Sequence, residues 1–145
     1  KETLSKFTTG ITVVCVSKNK VIFGKTVNSF NSLSKNPPLV LFSLSTNSSH
    51  INIFKQTKYL SINILSNKQK KISNLFSEKN PNVNMVKFFE NNRKTVFISD
   101  SIANLECRII EKIKKGDHII FICKILNVQS NNKLKPLNYF NSKYF

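Results

Sequence analysis

The alternation of apolar and polar side chains predicts a chain built mainly from β-strands. Residues 10–17 (GITVVCVS) are β-branched and almost continuously apolar, which is typical of a strand covered on both faces. Residues 17–20 (SKNK) are predicted to turn the chain into a return strand that begins with VIFGKTV, so the two strands should pair as a hairpin. Residues 37–45 (PPLVLFSLS) form a third predicted strand, whose leading prolines remove donors only where a strand can spare them.

Three further strands follow from the same reasoning. In residues 58–65 (KYLSINIL), apolar and polar positions alternate with a period of two, which predicts a half-buried strand with Asn63 on the face away from the main core. Residues 103–113 and 117–130 are predicted as two long strands joined by the tight turn KKGD.

The intervening segments predict short helices and irregular chain. Residues 48–58 have apolar positions at helical spacing behind Ser48 and Ser49, two candidates for the N-cap, and residues 67–79 form an amphipathic helix with an exposed lysine face. Residues 80–101 are expected to form a loop with a brief strand, and the last thirteen residues a polar turn and a short aromatic tail.

Six or more strands, two or three short peripheral helices and no βαβ alternation predict a mainly β protein, an antiparallel barrel formed by one domain over residues 1–145. No internal repeat or interdomain linker is visible. The chain is long enough to bury a core without disulfides or metals.

The net charge of +16, from 23 Lys and Arg against 7 Asp and Glu, has two explanations. Solvated surface charge is favoured over a nucleic-acid site, because the densest runs, residues 68–71 and 112–115, are not interleaved with aromatic side chains. A basic β-barrel that binds single-stranded nucleic acid stays as an alternative. The positive field would in either case concentrate anionic ligands, including phosphorylated cofactors.

Several chemistries are excluded by what the chain lacks. Glycine occurs only at positions 10, 24 and 116, so there is neither a Gly-rich dinucleotide loop nor a Walker phosphate loop. The two histidines have no metal-ligand partners at recognisable spacing. The three cysteines are expected to be buried reduced thiols, and the absence of a signal peptide or a long apolar run predicts a cytoplasmic protein without a membrane span.

Residues 26–34 (TVNSFNSLS) contain more hydroxyl and amide side chains than a turn requires, directly ahead of a proline pair. Further on, Asn47, Ser48 and Ser49 precede a predicted helix, where unpaired amides and neutral donors form a possible phosphate site. Ordinary N-capping explains the serines equally well when they are taken alone. The preceding polar run favours a binding role.

Five segments occur in a recognisable order and spacing: FTTGITVV (7–14), GKTVNSFNSLSKNPPLVLFSL (24–44), INIL (62–65), LECRI (105–109) and GDH (116–118). Together they resemble the flavin reductase family, the small NAD(P)H:flavin oxidoreductase components of two-component monooxygenases. The resemblance covers nearly the whole chain and is most specific in the block TVNSF…PPLV with a downstream GDH. It implies a Greek-key split β-barrel that binds FMN, usually as a homodimer with the flavin near the subunit interface.

The resemblance also implies roles for individual residues. Positions 26–29 would run beside the isoalloxazine ring, and Asn63 would line the same groove. The family often has a basic residue in the phosphate loop where this chain has STNSSH, so phosphate affinity is expected to depend either on helix amides or on a lysine from elsewhere, such as Lys58. The implied flavin residues are Thr26, Val27, Asn28, Ser29, Ser43, Leu44, Asn47, Ser48 and Asn63. Of these, Asn47 and Ser48 would meet the phosphate. The implied NAD(P)H residues are Asp117 and His118.

The activity implied by the resemblance is hydride transfer from NADH or NADPH to FMN, with FAD also possible, and the reduced flavin would supply a partner monooxygenase. No side chain need act covalently, because the protein's task is to orient two cofactors. A flavin-binding protein on the same fold without reductase activity is the main alternative.

Overall fold

The structure is a computed structural model that describes residues 1–145. Twelve strands and two α-helices of six residues each make up the chain, with single 3₁₀ turns at Leu4–Lys6 and Val83–Met85. The helices are α1 (Ile51–Gln56) and α2 (Lys70–Leu75), and the strands are β1 (Thr9–Gly10), β2 (Thr12–Lys18), β3 (Val21–Val27), β4 (Asn31–Ser34), β5 (Leu39–Ser45), β6 (Tyr59–Ile64), β7 (Phe88–Glu90), β8 (Val96–Ile98), β9 (Ala103–Lys115), β10 (His118–Ser130), β11 (Asn138–Phe140) and β12 (Lys143–Tyr144).

Seven strands form one antiparallel sheet in the order β3-β2-β6-β9-β10-β5-β4. The sheet curls so that β3 comes into contact with β5. Ser29, just after β3, fastens this closure, because its Oγ accepts a hydrogen bond from the Ser43 amide at 2.9 Å and donates to the Ser43 carbonyl at 3.2 Å. The predicted fold class, a mainly β antiparallel split barrel with a few short helices, is confirmed.

Two apolar clusters lie on opposite faces of β2 and explain its continuous apolar sequence. Val14 and Val16 face the barrel interior, where the rings of Phe42 and Phe121 stack with centroids 5.0 Å apart. The alternate positions of β2, including Val13, pack into a second cluster beneath α2 and the β7–β8 hairpin. The strand is therefore covered on both faces, as predicted.

The tight turns also follow the sequence. Asn19 and Lys20 adopt φ angles of 53° and 65° between β2 and β3. Two positive φ angles at the centre of a two-residue loop match the twist of a hairpin. Gly116, in the turn between β9 and β10, has a φ of 60°.

Four local predictions need correction. The polar run contains a strand, β4, which pairs with β5 at the sheet edge. Residues 80–101 contain a hairpin, and the aromatic tail forms two strands, of which β11 pairs with β1 and β12 pairs with β11. Helix α1 is capped by His50 in a left-handed conformation without a side-chain hydrogen bond, so neither Ser48 nor Ser49 is the N-cap.

No helix has the length and apolar character that crossing a membrane would require.

Candidate functional site

A polar groove of about 210 Å³ opens where β3 and β5 end, beside the first residue of β10. Three segments far apart in sequence meet there because the curled sheet brings the ends of β3 and β5 together and β10 pairs with β5. Seven of the nine predicted flavin residues and one predicted nicotinamide residue line it. The lining residues are Lys25, Thr26, Val27, Asn28, Ser29, Ser43, Leu44, Ser45, Ser48 and His118.

The side chains on the rim of this groove differ in what they can offer a ligand. Thr26 Oγ1 donates to the Ser73 carbonyl at 2.7 Å, and the Thr26 amide donates to the Phe76 carbonyl at 3.2 Å, so Thr26 anchors the strand to α2. Ser29 is occupied by the strand closure described above. Asn28 is exposed at the mouth and keeps its amide group for a ligand.

A second cleft of about 550 Å³ continues the groove beyond Ser48. It shares Lys25, Thr26 and Ser48 with the groove and adds Asn47, the remaining predicted flavin residue outside β6. The Lys25 ammonium donates to Ser49 Oγ, and Ser49 Oγ donates to the Lys79 carbonyl at 2.9 Å. Partial burial lowers the pKa of Lys25.

Lys25 is a lysine that contacts the 45–50 loop, through its hydrogen bond to Ser49. Lys58, the lysine expected to compensate, lies elsewhere, with its ammonium 5.9 Å from the ring centroid of Tyr59 and beside a different cleft. The prediction for Lys58 is therefore wrong. The segment GKTVNSF contains Lys25 one residue before the polar run, but only the contact with Ser49 reveals that Lys25 lies beside the 45–50 loop.

The donor set fits a phosphorylated flavin. One end of the groove offers an amide and hydroxyls suited to ring carbonyls and nitrogens, and the other end offers Lys25, Lys79, Asn47 and Ser48 suited to a phosphate. The only carboxylate of the cleft is that of Glu78. The two volumes together fall in the range of about 300–1,000 Å³ typical of ligand sites.

Asp117 and His118 lie at the entrance to the groove. His118 Nδ1 is 2.8 Å from Asp117 Oδ1. The His118 side chain is 49% exposed and the Asp117 side chain is 88% exposed. The hydrogen bond and the charge of His118 lower the pKa of Asp117. The turn is fixed to the groove because the Asp117 carbonyl accepts the Thr46 amide at 2.9 Å and Thr46 Oγ1 at 3.2 Å. His118 lines the groove, whereas Asp117 supports it from outside.

Asn63 does not lie in the groove, and its prediction as a flavin residue is wrong. The residue is fully buried on the outer face of β6, which packs under the β7–β8 hairpin instead of facing solvent. Its Nδ2 donates to the Val13 carbonyl at 3.0 Å, while its Oδ1 accepts from the Ile98 amide at 3.0 Å and from Asn104 Nδ2 at 2.8 Å. Asn63 therefore joins the hairpin to the sheet.

Three residues of the site were missed by sequence reasoning, namely Lys25, Ser45 and Lys79, whereas Ser49, predicted with Asn47 and Ser48 as part of a phosphate site, does line the second cleft. Ser45 directly follows the predicted flavin residues Ser43 and Leu44, so extending that segment by one residue would have found it. Lys79 follows α2 at no informative spacing. Its place in the cleft depends on how α2 packs against β3, which the sequence does not reveal.

Comparison with known proteins identifies the family. The model of the flavin reductase like domain matches residues 4–145. The FMN reductase (NADH) SmoA of Agrobacterium fabrum is 33% identical over 126 residues, covering 87% of this chain and 72% of that protein. The reductase component of the flavin-dependent trigonelline monooxygenase of Acinetobacter baylyi is 31% identical over 147 residues, 100% of this chain, which spans only 47% of that relative.

A solved structure gives the same result. Flavin reductase PheA2 in its native state superposes with a TM-score of 0.91 at 32% identity, covering 99% of this chain and 93% of that chain. The match extends over both the sheet and the segments that form the groove, since almost every residue is included. The chain belongs to the family of flavin reductase like domains.

Proposed function

We propose that this chain is an NADH-dependent flavin reductase that transfers a hydride from NADH to FMN, with FAD as a second possible flavin. The observation that carries the proposal is the groove itself, which collects the ends of β3 and β5 and the head of β10 around one polar cavity. Relatives named as FMN reductase (NADH) and as a monooxygenase reductase component support the activity.

In this proposal the flavin ring lies along residues 26–29 and 43–44, and its phosphate lies beside Asn47, Ser48 and Lys25. The bound flavin supplies the chemistry, because it accepts the hydride. The protein supplies position: Val27 and Leu44 belong both to the groove lining and to the packed barrel core, so the core fixes the strand ends that carry the groove.

His118 and Asp117 would position the nicotinamide. Because Asp117 Oδ1 is bonded to Nδ1, the imidazole is oriented and Nε2 remains for a ligand. The role is one of orientation, and no side chain in the groove is required to form a covalent bond. A His118→Ala variant should therefore reduce flavin more slowly while binding it with unchanged affinity.

Three finer statements belong to the same proposal. The reduced flavin would pass to a partner monooxygenase, as the name of the trigonelline relative suggests. The chain would act as a homodimer, supported by exposed apolar side chains such as Phe7 (79%) and Val128 (71%), and light scattering would give its mass. Three buried free cysteines suit a reducing cytoplasm.

An anaerobic titration tests the activity. The purified protein is mixed with FMN, and NADH or NADPH is then added while the flavin absorbance is followed against a protein-free control. Rapid bleaching with NADH is the expected result. Binding of flavin without bleaching by either donor would instead indicate a flavin carrier, and the absence of flavin binding would refute the groove assignment.

A further inference from the structure

A row of three side chains crosses the sheet at the entrance of the groove. In the register of β5, β10 and β9, His118 is directly opposite Ser45 on one side and Lys115 on the other. Directly opposite residues of antiparallel strands project their side chains to the same face, with Cβ atoms about 4.5–5.5 Å apart. Because Ser45 and His118 both line the groove, Lys115 is on the groove side of β9.

The spacing places Lys115 at the outer end of the row. Neighbouring strands are about 4.8 Å apart, so two steps put its backbone about 10 Å from that of Ser45. The row therefore runs from Ser45 in the lining of the groove, past His118, to the exposed Lys115. Lys115 is exposed, so its ammonium can reach a ligand that extends out of the groove.

The other lysines of this hairpin differ in position. Lys114 pairs with Ile119, whose side chain is buried in the barrel core, so Lys114 projects from the opposite face of β9. Lys112 donates to the Lys55 carbonyl and is held there. Lys115 is consequently the lysine of the 112–115 run that accompanies His118.

The nearby acidic group does not neutralise Lys115. Asp117, in the same turn, pairs with His118, and the remaining ion pair of the chain joins Arg93 to Glu106 in another region. A cation without a carboxylate partner at the rim of a cofactor groove is suited to phosphate oxygens. A nicotinamide dinucleotide whose ring enters the groove must direct its two phosphates outward.

We propose that Lys115 binds the pyrophosphate of the nicotinamide dinucleotide and so determines the affinity for the hydride donor. The inference depends on the proposed reductase function, since it uses the same groove. It assigns Lys115 a positioning role for the donor and no role in holding flavin.

Steady-state kinetics with NADH and FMN test this role. The Lys115→Ala variant should raise the KM for NADH about two- to fivefold at low salt with kcat unchanged, since an exposed charge contact adds binding that ground and transition states share. High salt should shrink the difference. Lys115→Arg should restore most of the affinity, and Lys114→Ala, with the same charge change on the opposite face, should behave as wild type.

A donor without phosphate separates binding from structure. With 1-methyl-1,4-dihydronicotinamide, Lys115→Ala should equal wild type, and slower reduction there would overturn the inference by showing that Lys115 acts through His118. Equal KM values for Lys115→Ala and Lys114→Ala, or a loss confined to NADPH, would overturn it as well. Failure of the wild-type protein to reduce flavin would refute the proposed function instead, and calorimetric titration of NAD⁺ would then still test Lys115.

Discussion

Gly24 on β3 is the point where the packing of α2 and the shape of the groove depend on one another. A Cβ added at Gly24 would lie 2.6 Å from both Cδ1 and Cε1 of Phe76, where ordinary contacts begin at about 3.4 Å. The Phe76 ring is fully buried and belongs to the second core cluster, so it has no open space to enter. We expect Gly24→Ala to displace the ring together with the end of α2.

The cost follows from this overlap. Forcing one extra carbon into a well-packed core costs about 1–3 kcal/mol, and Gly24 needs no special backbone conformation that would add to it. The displacement also reaches the site, because the Phe76 carbonyl accepts the Thr26 amide and the Ser73 carbonyl accepts Thr26 Oγ1. The same substitution should therefore lower both stability and FMN affinity.

A double-mutant cycle measures the effect. Urea unfolding of Gly24→Ala, Phe76→Leu and the double variant gives three free energies. Phe76→Leu alone should destabilise by about 1–2 kcal/mol through its cavity, and the methyl group introduced by Gly24→Ala should partly fill that cavity, so the double variant should be more stable than the sum predicts by about 1 kcal/mol or more. Strictly additive values, or wild-type FMN affinity in a destabilised Gly24→Ala, would refute the reasoning.

Three shorter predictions concern a cation, a carboxylate and an amide. Lys25→Ala should weaken FMN about tenfold and leave riboflavin, which has no phosphate, unaffected in fluorescence titrations; equal losses would contradict a phosphate contact. Glu106 is fully buried; burial opposes its charge, but hydrogen bonds from three side chains and the charge of Arg93 lower its pKa below the ordinary value. The ionised Glu106 carboxylate therefore stabilises the fold above its unfolded-state pKa, and this stabilisation is lost as pH falls through its folded-state pKa. Unfolding curves should show that Glu106→Gln lowers the free energy of unfolding by about 1–3 kcal/mol at pH 7 and by progressively less in acid. Asn63→Ala should cost about 1–3 kcal/mol but leave FMN affinity unchanged, whereas lost affinity with intact stability would return Asn63 to the site.

Strands with an apolar sequence pattern that reflects burial in the core could be predicted from the sequence. Strands that form only because their backbone pairs with a neighbouring strand could not. β2 and β5 carry the apolar runs that the two core clusters require, so their existence was visible. β4 is a polar edge strand whose backbone pairs with β5. Because β4 is held by main-chain hydrogen bonds and not by burial of side chains, its sequence shows no alternation of apolar and polar residues. Nothing in the sequence therefore distinguishes β4 from a loop.

The same limit explains the error at Asn63. Alternation in β6 predicts which residues share a face, but it does not reveal that the polar face is buried as well. The β7–β8 hairpin covers that face, and Asn63 satisfies its polar atoms with the hairpin backbone. A polar side chain can be buried at little cost when each of its atoms has a partner, and the partner here lies 35 residues away.

The groove is predictable to the extent that strands β3 and β5 divide their residues between two environments. All four of Val27, Leu44, Thr26 and Ser43 line the groove, but Val27 and Leu44 are buried and belong to the barrel core, whereas Thr26 and Ser43 do not. A polar substitution at Ser43 should therefore change ligand binding without opening the core. This separation between core and cavity positions does not hold where the end of α2 packs against β3. Gly24 lies against Phe76, a member of the second core cluster that also lines the second cleft together with Lys25 and Lys79. Changes in α2 should therefore alter flavin affinity even though α2 itself contributes none of the predicted flavin residues.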